Sequence, residues 1–268
     1  MLAKENGCTH VEIPADFIKN KTEVALTCLD LGAFLDRNAI NALYEKNAPD
    51  YQAKYILHTE PSLTRTDSYG LRHQSQLSWH NPKWVENLVT MIVDICNHFG
   101  TPATAVEIHP GDRRNSHRDI VNGCYAILEG FQNSFSYKPT ILLENRTGQF
   151  ISTGADLRAF WSALRREGHD TTKNVGIVLD IQQLFTSTQH RFIEELQVVP
   201  RESIKALHIH AEHRTPSLGN KIPWLTVFDW MRTLPQTILI NPEVHHKNQV
   251  PETISFCREH MKRTSPIS

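Results

Sequence analysis

Short apolar runs alternate with longer stretches whose apolar residues recur every three or four positions, and this alternation constrains the fold more than any other feature of the chain. The runs are HVEIPA (10–15), KYILH (54–58), TAVEIH (104–109), TILLE (140–144), VGIVLD (175–180), IKALHIH (204–210) and TILINPE (237–243). Between them, residues 81–100, 116–132, 154–168, 188–199, 222–234 and 251–262 carry the period of an amphipathic helix. Asn81-Pro82, Ser116 and Pro251-Glu252 supply helix-start chemistry. Strand followed by helix, repeated, predicts right-handed βα units and a parallel sheet. Near-continuous apolar strands fit a sheet covered on both faces. The expectation is an α/β fold, a (β/α)8-type TIM barrel, with a doubly wound sheet as the alternative. No GxGxxG or GxxxxGK[ST] loop follows a strand, which argues against dinucleotide and P-loop sites. The strand count is one short of eight: a first strand is missing, or the barrel is incomplete or closed by another segment. Residues 22–46 read as one or two helices. With no linker or low-complexity tract, residues 1–268 are read as one domain.

Composition narrows the setting. The net charge of -1 gives no global basic field for nucleic acid, although a local patch stays open. The five cysteines are widely separated and form no CxxC pair, against a disulfide framework or a thiolate zinc site. No run of about 18 apolar residues exists, and the N-terminus lacks the apolar core of a signal peptide. A reduced, cytoplasmic protein with no membrane partner is expected. Histidine, at 15 residues, stands out, and it is a frequent metal ligand.

The strand ends use that histidine. KYILH ends on His58, TAVEIH on His109, TILLE on Glu144, VGIVLD on Asp180 and TILINPE on Glu243, while IKALHIH carries His208 and His210. In a parallel barrel these ends meet on one rim, where active sites sit. Residues two apart in a strand face the same way, so His208 and His210 share a face, as do Glu107 and His109. Imidazole with carboxylate suits zinc, manganese or iron. A rim of unpaired carboxylates repels itself, and a bound cation removes that cost.

These residues resemble the endonuclease IV-like (AP endonuclease family 2) branch of the xylose-isomerase-like TIM-barrel superfamily. EIHPGD resembles its strand-end His-Pro-Gly, LLENRTGQ its Glu-Asn-Thr-Ala-Gly-Gln, GIVLDIQQLF its strand ending in Asp, and LHIHAEHRTPSLG its His strand followed by Ser-Leu-Gly. The resemblance implies a zinc-dependent endonuclease that cuts DNA 5′ to abasic sites. It places His58, His109 and Glu144 around one metal and Glu144, Asp180, His208 and Glu243 around a second, with Glu144 bridging. Gln183 and Thr215 stand where the family holds a third metal, which implies one or two metals here; His210 and His213 are weaker substitutes.

Two enzymatic readings follow. One is phosphodiester hydrolysis on abasic DNA; the other is isomerisation or epimerisation of a small, phosphorylated sugar. Either uses a divalent metal, zinc or manganese, with Glu144, Asp180 and Glu243 as catalytic residues. A degenerate barrel without turnover is the third. Arg146, Arg113 (with Arg114 and Arg118) and Trp79, beside His80, are candidate substrate contacts, and His245 and His246 lie just past Glu243.

Overall fold

Parallel pairing runs through seven strands in the order β1 (His10–Pro14), β2 (Lys54–His58), β5 (Ala105–Ile108), β6 (Thr140–Glu144), β7 (Val175–Asp180), β8 (Ile204–His208) and β9 (Leu239–Asn241). A short antiparallel hairpin, β3 (Thr64–Thr66) with β4 (Arg72–Gln74), follows β2. The computed structural model describes residues 2–15, 34–35, 37–44, 54–59, 64–66, 69–70, 72–74, 77–167 and 173–262. The sheet curls into a half-barrel. Among the described residues no ladder joins β1 to β9, but the Asn241 side-chain amide donates to Glu12 Oε2, so the two edges meet at the rim. The expected α/β barrel is therefore present as seven strands; most of the expected helical region 22–46 lies outside the described residues, apart from the helix Arg37–Leu43.

The five central strands bury both faces, while β1 and β9 at the edges are half-buried. Leu57, Val106, Ile108, Ile141, Leu143, Ile177, Leu179 and Leu207 point outward into the main core beneath the helices. The helix Pro82–Phe99 shows why its sequence folds this way. Trp84, Leu88, Met91, Ile92 and Ile95 recur on one face and are buried. Asn81 caps its start by accepting from the amides of Lys83 and Trp84, and Gly100 ends it at φ 70. Burying one such large apolar side chain contributes roughly 1.5–3 kcal/mol.

The inward faces carry different chemistry. Ile56, Ala105, Leu142, Val178 and Ala206, with Leu239, form a separate apolar cluster. Two residues further along the strands, the same inward parity turns polar: His58, Glu107, Glu144, Asp180, His208 and Asn241. Among the described residues this one apolar layer lies beneath the polar rim.

Close packing is tightest where Gly154 opens the helix Gly154–Arg166: a Cβ there would overlap the carbonyl oxygen of Glu195. Because the obstacle is backbone, Gly154→Ala is expected to destabilise the fold by about 1–3 kcal/mol, read as a lower urea midpoint at unchanged slope.

Candidate metal centre

The inward parity of successive strands brings Glu12, His58, Glu107, His109, Glu144, Asp180, His208, His210 and Glu243 to one end of the barrel. All but Glu12 and Glu243 are at most 3% exposed. Two groups of donors converge as expected, His58, His109 and Glu144, and Glu144, Asp180, His208 and Glu243; His210, His213 and Glu243 form a third group and Glu12, Glu107 and His208 a fourth.

In the first group both imidazoles are held by their outer nitrogens. His58 Nδ1 lies 2.7 Å from Glu12 Oε1, and His109 Nδ1 lies 3.2 Å from the carbonyl of Thr59. An acceptor at Nδ1 puts the proton there and leaves the Nε2 lone pair facing the centre. The two Nε2 atoms stand 3.3 Å apart. Two zinc–nitrogen bonds of about 2.05 Å at the tetrahedral angle would place them about 3.3 Å apart as well. His109 Nε2 also sits 2.5 Å from Glu144 Oε2 and 3.2 Å from Arg146 Nη1. A guanidinium only donates and a carboxylate only accepts, so one nitrogen cannot satisfy both; a cation on that lone pair would take Glu144 Oε2 as a shared ligand and leave Arg146 to other acceptors.

The second group is reached through the other oxygen of Glu144. Its Oε1 lies 3.7 Å from His208 Nδ1, which is 3.1 Å from Glu243 Oε2. Among the described residues neither His208 Nδ1 nor Glu243 Oε2 has a hydrogen-bond partner, although both are buried. Two lone-pair atoms that close, without hydrogen-bond alignment, face a common point and fit a cation. The opposite nitrogen, His208 Nε2, is 3.3 Å from Glu107 Oε1 and 3.8 Å from Glu12 Oε2. Glu107 and Glu12 therefore orient the imidazoles from below.

Charge couples these groups to one another. Burial opposes ionisation of Glu144, but the facing His109, with His208 and His58 close by, holds its carboxyl well below the usual range. Burial opposes charge on His58 and His208, yet Glu107 and the neighbouring carboxylates raise both well above the usual imidazole value. Burial raises Glu107 and Asp180, partly offset by histidines. His210, 3.2 Å from Asp180 Oδ2 and from Glu243 Oε2, is raised to about 9 by these carboxylates against the effect of burial. The backbone amide of His213 donates to His210 Nδ1 at 3.0 Å and works against a second proton on that ring.

The supporting residues tie the strand ends to each other. Asn145 exchanges two hydrogen bonds with the backbone of Asp180, its Oδ1 accepting at 2.9 Å and its Nδ2 donating at 3.1 Å. Gly111 N–H donates to Gln149 Oε1 at 2.8 Å, which locks the HPG turn onto the loop after Glu144. Gly111 sits at φ 71 with Leu77 and Asn115 against it, so only glycine fits. Gln183 accepts from Thr147 N–H, and Thr215 bonds within the 249–253 turn; both serve as structural clamps.

Among the substrate-contact expectations, Arg146 lies at the centre and Arg113 is exposed on the rim, while Arg114 pairs with Asp112 at 2.9 Å. Trp79 is corrected: it is buried, packs over Gly123 and donates to the carbonyl of His109 at 2.9 Å, so its ring has no face for a substrate. His245 stacks on His213, which stacks on His210, with centroids 4.2 Å and 4.5 Å apart. Glu12 is a site residue that the strand-end pattern passed over. Its signal was a carboxylate mid-strand in Val-Glu-Ile, the tripeptide repeated at 106–108. Replacing it with Ala is expected to weaken metal binding by about 10–100-fold, measured by competition with a chromogenic chelator, with the fold unchanged by circular dichroism.

The profile of the xylose isomerase-like TIM barrel matches residues 61–260. No curated protein sequence is significantly similar to the chain. Among solved structures, a D-psicose 3-epimerase from Clostridium cellulolyticum H10 superposes with TM-score 0.57 at 13% identity, covering 98% of this chain and 92% of that one. An AP endonuclease, family 2, from Brucella melitensis gives 0.54 at 11%, covering 96% and 90%. A 3-keto-D-glucoside 4-epimerase from E. coli gives 0.53 at 12%, covering 96% and 91%. No helix among the described residues is long and apolar enough to cross a membrane. The curled parallel barrel and the matched profile agree: the chain belongs to the xylose isomerase-like TIM-barrel family.

Proposed function

We propose that this chain is a divalent-metal-dependent hydrolase of phosphodiester bonds, with abasic-site DNA as its substrate. The observation that carries the reading is Glu144, which presents Oε2 to His58 and His109 and Oε1 to His208. An isomerase of the wider superfamily needs only the Glu144, Asp180, His208 and Glu243 set. The His58–His109 pair is additional, and its Nε2 spacing suits a second cation.

His58, His109 and Glu144 would hold one ion, and Glu144, Asp180, His208 and Glu243 the other, with zinc or manganese as the candidates. Bound there, such ions supply Lewis acidity and a nucleophile at neutral pH. The chain's own groups do the rest. Glu12 and Glu107 keep the imidazoles in their orientation. Asn145 fixes the ends of β6 and β7 to each other, so Glu144 and Asp180 move as one unit. Arg146 stands beside the centre as a bidentate donor for a phosphate.

The second reading is a metal-dependent sugar epimerase, favoured by the completeness of the four-residue set. One pair of assays separates them. Metal-loaded protein is offered an abasic-site duplex and, separately, a set of ketoses. Nicking of the duplex that Glu144→Gln abolishes supports the hydrolase. Ketose turnover without nicking overturns it in favour of the epimerase. Two tightly bound zinc ions per chain fit the hydrolase, and one manganese ion fits the epimerase.

A further inference from the structure

We propose that the opposite, N-terminal mouth of the barrel is a second binding site, for a small oxyanion of the phosphate class. A cavity of about 310 Å³ opens there, on the far side of the apolar layer from the metal centre. Its floor is Ala105, Leu142 and Leu239, members of that layer or packed on it. Its polar lining is His10, Lys54, Lys205, Tyr137 and Thr140, and no acidic side chain lines it among the described residues.

The lysine arrangement is built into the backbone. Between the Ile177–Ile204 and Val178–Ala206 pairs, β8 advances two residues while β7 advances one, so Lys205 is the extra residue of a β-bulge. Its stem crosses Gly176: a Cβ there would overlap Lys205 Cγ. A bulge and a glycine together aim one ammonium into the mouth of the barrel. Lys54, the first residue of β2, shares inward parity with Ile56 and His58 and brings a second. Burial and the charge of Lys54 both depress the His10 imidazole. Neither lysine has an acidic partner among the described residues.

Like charges gathered around a small cavity repel, and an anion seated between them removes that penalty. The ammonium groups and the hydroxyls of Tyr137 and Thr140 supply donors from several directions, as a tetrahedral oxyanion requires. The volume admits phosphate or pyrophosphate and lies at the small end for ligand sites.

The test titrates pyrophosphate into metal-loaded protein at constant ionic strength, by calorimetry, with chloride as the control salt. Wild type is expected to bind at submillimolar concentration. The Lys54→Met/Lys205→Met double variant, which keeps the stems, is expected to lose at least tenfold in affinity with unchanged metal content. Equal affinity in wild type and variant would place the anion at the metal centre and overturn the proposal, as would absence of binding to wild type. A change in metal content without any pyrophosphate binding also overturns it, assigning the lysines to the field of the carboxylates above. Should the double variant not fold, Lys54→Met alone, at an exposed side chain, must still weaken binding.

Discussion

Glu144→Gln is expected to lower turnover by at least about a thousandfold, the scale on which loss of a group acting on developing charge is felt. Metal content should fall in both ligand groups at once, because the one carboxylate serves both. Glutamine keeps the volume and one acceptor oxygen, so the fold should survive. The metal-free variant should even match or exceed the metal-free wild type in stability, since a buried charge is removed from a crowd of carboxylates. Elemental analysis together with thermal unfolding reads both effects. Loss of a single equivalent of metal with the other retained would sink the bridging role.

The second large effect is that of metal on stability, and pH sets its sign. In the metal-free protein, His58 and His208 have pKa values raised well above the usual imidazole value by facing carboxylates. A raised folded pKa contributes stability that is full below the unfolded value of about 6.5 and is lost as pH climbs through the folded value. Metal-free protein should therefore lose stability as pH climbs above about 6.5. Ligation requires the same nitrogens without their protons, so metal affinity rises over that window. Free metal at a hundred times its Kd stabilises by about 2.7 kcal/mol, or roughly 5–10 °C for a domain of this size. The gap in melting temperature between loaded and chelated protein should accordingly widen as pH climbs above that value. A gap that narrows would mean these histidines do not ligate.

Much of this was legible in the sequence because strands and ligands obey the same two-residue period. β2, β6 and β7 have the boundaries that their apolar runs predict, and β5, β8 and β9 lie within theirs. The two expected donor sets at strand ends converge, because a parallel sheet puts every C-terminal end on one rim. What escaped was set by tertiary context. The helix Ile181–Thr188 starts on Asp180 itself, whose Oδ1 accepts from Gln183 N–H, so one residue is both strand end and helix cap. Glu12 reads locally as a solvated charge on an edge strand, and the approach of His58 and of Asn241, 229 residues away, shows that it faces inward. Trp79 looked available because it precedes a helix; the Gly123 that receives it lies 44 positions on, and no local pattern links them.

The turn after β8 has a consequence of its own. Ala211 and Arg214 exchange both backbone hydrogen bonds, and between them Glu212 and His213 stand at φ 52 and φ 56. Hairpin turns of this hand ordinarily use glycine or asparagine, and each ordinary side chain held there stores about 1–2 kcal/mol. Here the stored energy is opposed by the parallel stacking of His213 between His210 and His245. The turn thus behaves as a loaded spring with an aromatic latch. A ligand that drew one imidazole out of the stack would leave the strain at Glu212 and His213 unopposed, so binding beside Glu243 is expected to be coupled to the conformation of this turn.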